Sequence, residues 1–234
     1  RNGPPNINLR KKHSIRNGQA NILGMCNAGE YEMIKLIIFD LSDVCFTAEE
    51  PPYLKEFAER HELNYEKFEK FYVDLLVKAE VDEISGEGIW DRIFSHFHIE
   101  DETFEKVMEE MMKLKKPIYE TLEFAKKLRK DYKTAYLTNY NKDYWEYIKK
   151  KFDLNPYFDF GIVSYQIKSR KPSQEGFKAI LDHFGYNPEE AIFTDDSIKN
   201  LSEAKKLGIN TIQFEHVDIL ADFLEDFGVS INEE

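Results

Sequence analysis

The chain has 234 residues, 42% of them hydrophobic and 32% charged, which is enough for one sizeable globular core and a small inserted domain. Its formal net charge of −12 at pH 7 argues against nucleic-acid binding, because that affinity rests largely on clustered Lys and Arg. The lysines at 113–116 and 149–151 are predicted to lie on solvated helix faces. No run of about 18 apolar residues and no secretory leader can be recognised, and only two cysteines are present, so we expect a cytoplasmic protein that does not enter a membrane.

The first 32 residues differ in composition from the rest of the chain. They contain six Asn and five Lys or Arg but only two acidic residues, and no sustained periodicity runs through them. Such a segment is predicted to be a flexible extension. Because Met33 stands directly before the first strand-like run, a tag, an upstream read-through and a genuine tail are all open as its origin.

From Met33 onward, strand-like and helix-like patterns alternate. Five apolar or β-favouring runs predict strands, at 34–39, 133–138, 160–164, 190–194 and 210–214, and amphipathic segments separate the last four. Strands that alternate with helices form a parallel sheet with helices on both faces. The predicted fold class is therefore α/β, with a doubly wound, Rossmann-like sheet.

The long interval between the first two strands is predicted to be an inserted helical domain. Its segments carry apolar residues at three- and four-residue spacing and contain no convincing strand. Pro51 and Pro52 suit the first turn of a helix, and Asp101 is predicted to be an N-cap. The expected organisation is an extension at 1–32, a core domain formed by 33–47 and 119–234, and a helical cap domain at 48–118.

Polar residues lie at or shortly after the ends of four predicted strands. The segments are DLSD at 40–43, LTNYN at 137–141, SRKPS at 169–173 and FTDDS at 193–197. Each segment alone is explained by an ordinary turn, a helix cap or a solvent-exposed lysine. Together they place a carboxylate, a hydroxyl, a lysine and paired acids at the sheet edge where open α/β folds bind ligands.

This set of groups matches the needs of phosphoryl transfer. The Asp40 carboxylate can attack phosphorus to give an aspartyl phosphate, which divides one difficult hydrolysis into two easier steps. Because the transferred group is anionic, catalysis depends on charge neutralisation, which Lys171 and a Mg²⁺ ion held by hard oxygen ligands can supply. Natural ligands are Asp40, a backbone carbonyl and an acid of the pair Asp195 and Asp196, while the Thr138 hydroxyl can hold a phosphoryl oxygen.

The four segments resemble the four motifs of the haloacid dehalogenase (HAD) superfamily, in the same order, between Met33 and about Phe214. The stretch 161–214 is similar to the branch that includes haloacid dehalogenases, sugar-phosphate phosphatases and the N-terminal phosphatase domain of soluble epoxide hydrolase. The insertion at 48–118 resembles the helical cap of that branch. The resemblance implies a hydrolase that uses Mg²⁺ and acts on a small phosphorylated metabolite.

The resemblance also implies a role for each matching residue around the phosphate. Asp40 is the expected nucleophile. Thr138 and Asn139 are expected to bind phosphate, and Lys171 is expected to stabilise the phosphoryl group.

A metal site is implied by the same resemblance. Asp196 aligns with the direct metal ligand, and Asp195 would act directly or through water. Ser42 would contribute its main-chain carbonyl to Mg²⁺, beside Asp40.

One position departs from the superfamily pattern. Most phosphatases of the superfamily carry a second Asp two residues after the nucleophile, as general acid and base, but here Ser42 occupies that position and Asp43 follows it. General acid–base assistance is worth typically ~10²–10⁴-fold in rate, so its loss predicts a preference for leaving groups that need little protonation, such as acyl or anomeric phosphates.

Two other functions stay open at the level of sequence. A binding or regulatory protein with the same fold and weak turnover is the first, and Ser42 favours it. A 2-haloacid dehalogenase is the second; it would use the same aspartate without metal, but paired acids favour a bound cation. The sequence determines neither the substrate nor the oligomeric state.

Overall fold

The computed structural model describes residues 33–230, so the predicted extension at 1–32 lies outside the described residues. Its centre is a five-stranded parallel sheet with the strand order β3-β2-β1-β4-β5. The strands are β1 (Leu36–Phe39), β2 (Lys133–Thr138), β3 (Phe160–Val163), β4 (Ala191–Asp195) and β5 (Asn210–Gln213). Each strand lies within its predicted run or extends one residue beyond it.

Ten α-helices and one short 3₁₀ helix accompany the sheet in the described part of the chain. Four of them lie between β1 and β2, namely α1 (Glu50–Arg60), α2 (Tyr65–Ala79), α3 (Gly86–Phe97) and α4 (Phe104–Leu114). The others follow or connect the strands, namely α5 (Tyr119–Leu128), α6 (Lys142–Lys151), α7 (Ser164–Ile167), α8 (Glu175–Phe184), α9 (Ile198–Lys206) and α10 (Val217–Asp226). Within residues 33–230, no helix is long and apolar enough to cross a membrane.

The central strand β1 shows why the sheet is covered on both faces. All four of its side chains are fully buried. Because successive side chains of a strand point to opposite faces, Ile37 and Phe39 enter one hydrophobic core while Leu36 and Ile38 enter the other. The doubly wound α/β prediction is confirmed.

The insertion between β1 and β2 is helical, as predicted, and Pro51 and Pro52 stand in the first turn of α1. The predicted N-cap at Asp101 is wrong. The Thr103 side chain accepts a hydrogen bond from the Lys106 amide at 3.3 Å, and α4 therefore begins at Phe104. A hydroxyl three residues before a free amide has the geometry of a cap.

Several polar contacts hold the insertion against the core, and three of them show where it lies. The indole nitrogen of Trp90 donates to the Tyr144 hydroxyl at 2.8 Å, and the Asp143 carboxylate accepts from the Gly86 amide at 2.6 Å. A buried glutamate that follows α2, Glu80, accepts from the Arg170 guanidinium. Since Arg170 directly precedes Lys171, the insertion lies next to the loop that carries the predicted phosphate-binding lysine.

Candidate active site

Asp40 directly follows β1 at the carboxyl edge of the sheet. Its amide donates to the Thr194 carbonyl at 2.9 Å, so the pairing of β1 with β4 continues into this residue. The side chain is buried, and its Oδ1 accepts from the Leu41 amide at 2.6 Å. The chain then turns sharply at Asp43, which has a left-handed backbone (φ 57) and accepts from the Ala48 amide at 2.9 Å. The Asp43 carboxylate therefore stabilises the turn that follows Asp40.

Lys171 lies between two buried carboxylates. Its Nζ is 2.6 Å from Asp40 Oδ1 and 2.7 Å from Asp195 Oδ2, and its side chain is 2% exposed. Burial raises the pKa of Asp40 to about 6, against the opposing effect of the ammonium. Burial alone would lower the pKa of Lys171, but the two carboxylates together raise it above its usual value. The three groups leave an excess of negative charge that a further cation can neutralise.

Asp195 and Asp196 complete an acidic cluster at the end of β4. The fully buried Asp195 accepts from the Ser197 amide at 2.8 Å, and the Asn200 amide group donates to both of its oxygens at 3.1 and 3.0 Å. Asp196 is exposed, and partial burial together with the charge of Asp195 raises its pKa. One oxygen from each of Asp40, Asp195 and Asp196 lies within 4.8 Å of the other two. Three hard oxygen donors at this spacing fit a Mg²⁺ ion.

The end of β2 forms the side of the site that is predicted to bind phosphate. Thr138 is 1% exposed, and its hydroxyl has no hydrogen-bond partner among the described residues. A buried hydroxyl without a partner is costly, so this atom is suited to a ligand oxygen. The Asn139 side chain is instead occupied by the main chain of Lys171, since it accepts from the amide at 2.8 Å and donates to the carbonyl at 3.1 Å. Asn139 therefore positions Lys171, and its contact with phosphate stays a prediction.

Ser42 is half-buried, and its hydroxyl lies 2.7 Å from the Tyr140 hydroxyl. Tyr140 also accepts from the Lys115 ammonium at 2.6 Å, and Lys115 forms an ion pair with Glu49. Lys115 and Glu49 have no exposed side-chain surface. The position two residues after Asp40 is thus connected to a buried charged pair.

The chain is similar to several known proteins. The model of the haloacid dehalogenase-like hydrolases matches residues 34–208 of the chain. The chain belongs to this family. The HAD-like hydrolase is 24% identical, over 242 residues, to the chloroplastic flavin mononucleotide hydrolase 1 of Arabidopsis thaliana, and the match covers 96% of this chain and 91% of that protein.

Two proteins from Bacteroides thetaiotaomicron also resemble this HAD-like hydrolase. D-ribitol-5-phosphate phosphatase is 32% identical over 117 residues, which are 47% of this chain and 55% of the relative. A HAD family enzyme, solved as the wild-type protein in complex with magnesium and inorganic phosphate, has a TM-score of 0.68 at 25% identity. That similarity covers 78% of this chain and 94% of the solved one.

In this HAD-like hydrolase, the lysines at 113–116 were predicted to be solvated, and the prediction is wrong for Lys115, which is buried. Lys115 follows Met111 and Met112 by four and three residues, and both methionines are buried on the inner face of α4. Helical spacing was the signal that could have predicted this burial. Asn200 was also missed; it lies in the first turn of α9, where a side chain can reach back to Asp195 at the strand end.

Proposed function

We propose that this HAD-like hydrolase is a Mg²⁺-dependent phosphatase that hydrolyses a small phosphorylated metabolite through an aspartyl phosphate on Asp40. One observation carries the proposal: the buried Lys171 ammonium contacts Asp40 and Asp195, and Asp196 lies close enough for all three acids to share one cation. An aspartate nucleophile, a fixed ammonium and a metal site are the parts that phosphoryl transfer needs.

The two oxygens of Asp40 have different surroundings. Oδ1 accepts from the Leu41 amide and from Lys171, whereas Oδ2 has no hydrogen-bond partner among the described residues. Oδ2 is the proposed attacking atom, whose lone pair forms the new bond to phosphorus as the bond to the leaving oxygen breaks. Lys171 and the unpartnered Thr138 hydroxyl would bind phosphoryl oxygens in this step. Water then cleaves the aspartyl phosphate.

The proposed metal ligands are Asp40, Asp196 and the main-chain carbonyl of Ser42. Both oxygens of Asp195 already accept hydrogen bonds, which supports contact through water for this residue, while the exposed Asp196 is suited to direct ligation. When bound, Mg²⁺ supplies positive charge that offsets the repulsion between the carboxylates and the phosphoryl group. Asn139 is proposed to hold the phosphate loop in place through Lys171.

Helices α1 to α4 are proposed to form a cap domain, at 48–118, over a core domain at 33–47 and 119–234. The contact of Glu80 with Arg170, next to Lys171, supports a position above the leaving group. The two named relatives are a hydrolase of flavin mononucleotide and a phosphatase of ribitol 5-phosphate. Substrates of both kinds, a nucleotide-like phosphate and a sugar-alcohol phosphate, are therefore the first to test.

The test is a screen of phosphorylated metabolites that measures inorganic phosphate, with Mg²⁺ and with a chelator instead. We expect release that requires Mg²⁺ and is abolished by Asp40→Asn, because an amide is a poor nucleophile. Asp43→Asn is the matched control, since it changes a nearby carboxylate that is occupied by the Ala48 amide. It should retain most of the activity.

Three other results would contradict the proposal. Binding of Mg²⁺ and inorganic phosphate without any turnover would favour a regulatory protein. Halide release from a 2-haloacid without metal would favour a dehalogenase. If Asp43→Asn loses activity while Asp40→Asn keeps full activity, the proposal has assigned the nucleophile to the wrong carboxylate.

A further inference from the structure

A continuous line of hydrogen bonds runs from the protein interior to Ser42. At its inner end, the Lys115 ammonium has three partners, which are Tyr140 Oη at 2.6 Å, the Thr47 carbonyl at 3.5 Å and the Glu49 carboxylate. Lys115, Tyr140 and Glu49 are buried, and Ser42 at the outer end is half-buried. The line therefore ends at a half-buried hydroxyl two residues after Asp40.

The ammonium group fixes the direction of one of these hydrogen bonds. An ammonium group donates three hydrogen bonds and accepts none, so Tyr140 Oη must accept from Lys115. Tyr140 Oη and Ser42 Oγ are 2.7 Å apart and either hydroxyl can donate; in one of the two arrangements Tyr140 donates to Ser42. Ser42 Oγ has no further partner among the described residues. In that arrangement the Ser42 hydrogen is left for a group outside the protein, and Ser42 stands two residues after Asp40.

We propose that Ser42, Tyr140 and Lys115 form a proton relay that replaces the missing acid–base aspartate. The inference rests on the proposed phosphatase function and names the group that protonates the leaving oxygen. Ser42 is the proposed catalytic residue, because its hydroxyl would donate to the leaving oxygen. Tyr140 and Lys115 act through it.

The first chemical step forms one bond to phosphorus and breaks another. Asp40 Oδ2 bonds to phosphorus, and the electron pair of the breaking P–O bond stays on the leaving oxygen. That oxygen takes the Ser42 proton, Ser42 takes the Tyr140 proton, and Tyr140 takes a proton from Lys115. The products are the aspartyl phosphate, a neutral alcohol and a neutral Lys115 amine.

After this step every hydrogen bond of the relay is reversed. Ser42 now donates to Tyr140, and Tyr140 donates to the Lys115 amine, so a lone pair of Ser42 faces the crevice. A water that attacks phosphorus breaks the bond to Asp40 and gives its proton to Ser42. The same transfers in the opposite direction restore the Lys115 ammonium. One relay therefore serves as acid in the first step and as base in the second, which is the role of the absent aspartate.

The test compares two substrates of similar size, phenyl phosphate and p-nitrophenyl phosphate. Phenolate is the more basic leaving group and needs the proton more. Tyr140→Phe breaks the relay and keeps the ring that packs on Trp145. We expect kcat/KM to fall by about 10²-fold for phenyl phosphate, and by less than about tenfold for p-nitrophenyl phosphate.

Two further variants show whether the residues act as one unit. Ser42→Ala should give the same pattern as Tyr140→Phe, and the double variant should be no worse than either, because a relay broken twice loses nothing more. Ser42→Asp in the Tyr140→Phe background should recover phenyl phosphate hydrolysis about tenfold or more, since a carboxyl donates directly. Tyr136→Phe is the control; its ring also packs on Trp145, and its hydroxyl is outside the relay.

Circular dichroism shows whether Tyr140→Phe is folded. If the folded variant lowers kcat/KM equally for both substrates, or for neither, the relay is overturned. It is also overturned if the effects of Ser42→Ala and Tyr140→Phe multiply in the double variant. If Tyr140→Phe does not fold, Ser42→Ala decides instead: an equal fall of kcat/KM for both substrates, or no fall, overturns the relay. A wild-type protein that hydrolyses neither substrate, nor any metabolite of the screen, refutes the phosphatase proposal itself.

Discussion

Lys171→Met tests the charge arrangement of the site most directly. The substitution keeps an unbranched apolar side chain and removes the ammonium that lies 2.6 and 2.7 Å from two buried carboxylates. Removing one partner of a buried ion pair costs about 3–5 kcal/mol, because an uncompensated charge stays buried. In metal-free protein near pH 7.5 we expect the free energy of unfolding to fall by about this amount. Phosphatase activity should fall roughly 10²–10³-fold, as when an oxyanion donor is lost.

The stability loss should depend on pH. Burial already raises the pKa of Asp40 to about 6 in the folded protein, above about 3.9 in the unfolded chain, and loss of the ammonium raises it further. As pH falls below the folded pKa, the folded variant takes up a proton that the unfolded chain does not, and this stabilises the fold by up to about 1.4 kcal/mol per pH unit. The wild type gains the same stabilisation from protonation of Asp40 only below about pH 6. The difference between the two proteins should therefore be smaller near pH 5.5 than near pH 7.5.

Urea unfolding followed by circular dichroism, in a chelator and at both pH values, measures this difference. Lys168→Met is the matched control, because its Nζ lies 3.9 Å from Asp82 and its side chain is 72% exposed. Exposed pairs of this kind contribute about 0–1 kcal/mol, so the control should change little at either pH. A loss below about 1 kcal/mol for Lys171→Met, or a loss that is equal at both pH values, would refute the reasoning.

Three further substitutions have defined outcomes. Thr138→Val removes a hydroxyl that has no partner within residues 33–230, so thermal unfolding should be nearly unchanged while kcat/KM falls about tenfold or more. Gly161→Ala places a Cβ 1.9 Å from the Tyr136 ring, and a loss of about 1–3 kcal/mol in urea unfolding is expected from overpacking; an unchanged midpoint would contradict it. Asp143→Ala removes the acceptor of the Gly86 amide and should cost about 1 kcal/mol, while Asp143→Asn should retain most of that stability.

Most elements of the fold could be predicted because their signals are local. The strands are short apolar or β-favouring runs, and β1 to β4 are each followed by a polar residue; the helical insertion has three- and four-residue spacing throughout. The start of α4 shows the limit of this approach. Asp101 and Thr103 are both good caps by residue type, and only the position of the side-chain oxygen relative to the Lys106 amide separates them.

The sequence by itself determined the family, the α/β sheet and the placement of Asp40, Thr138 and Asp195 at one edge of that sheet. These three residues stand at the ends of neighbouring parallel strands, and parallel pairing brings strand ends to one edge whatever the connections are. Only the tertiary structure decided that Asn139 holds the Lys171 main chain and that Tyr140 joins Ser42 to Lys115. Those contacts link residues 25 to 98 positions apart, and no local periodicity encodes which of many polar side chains will meet when the insertion packs on the core.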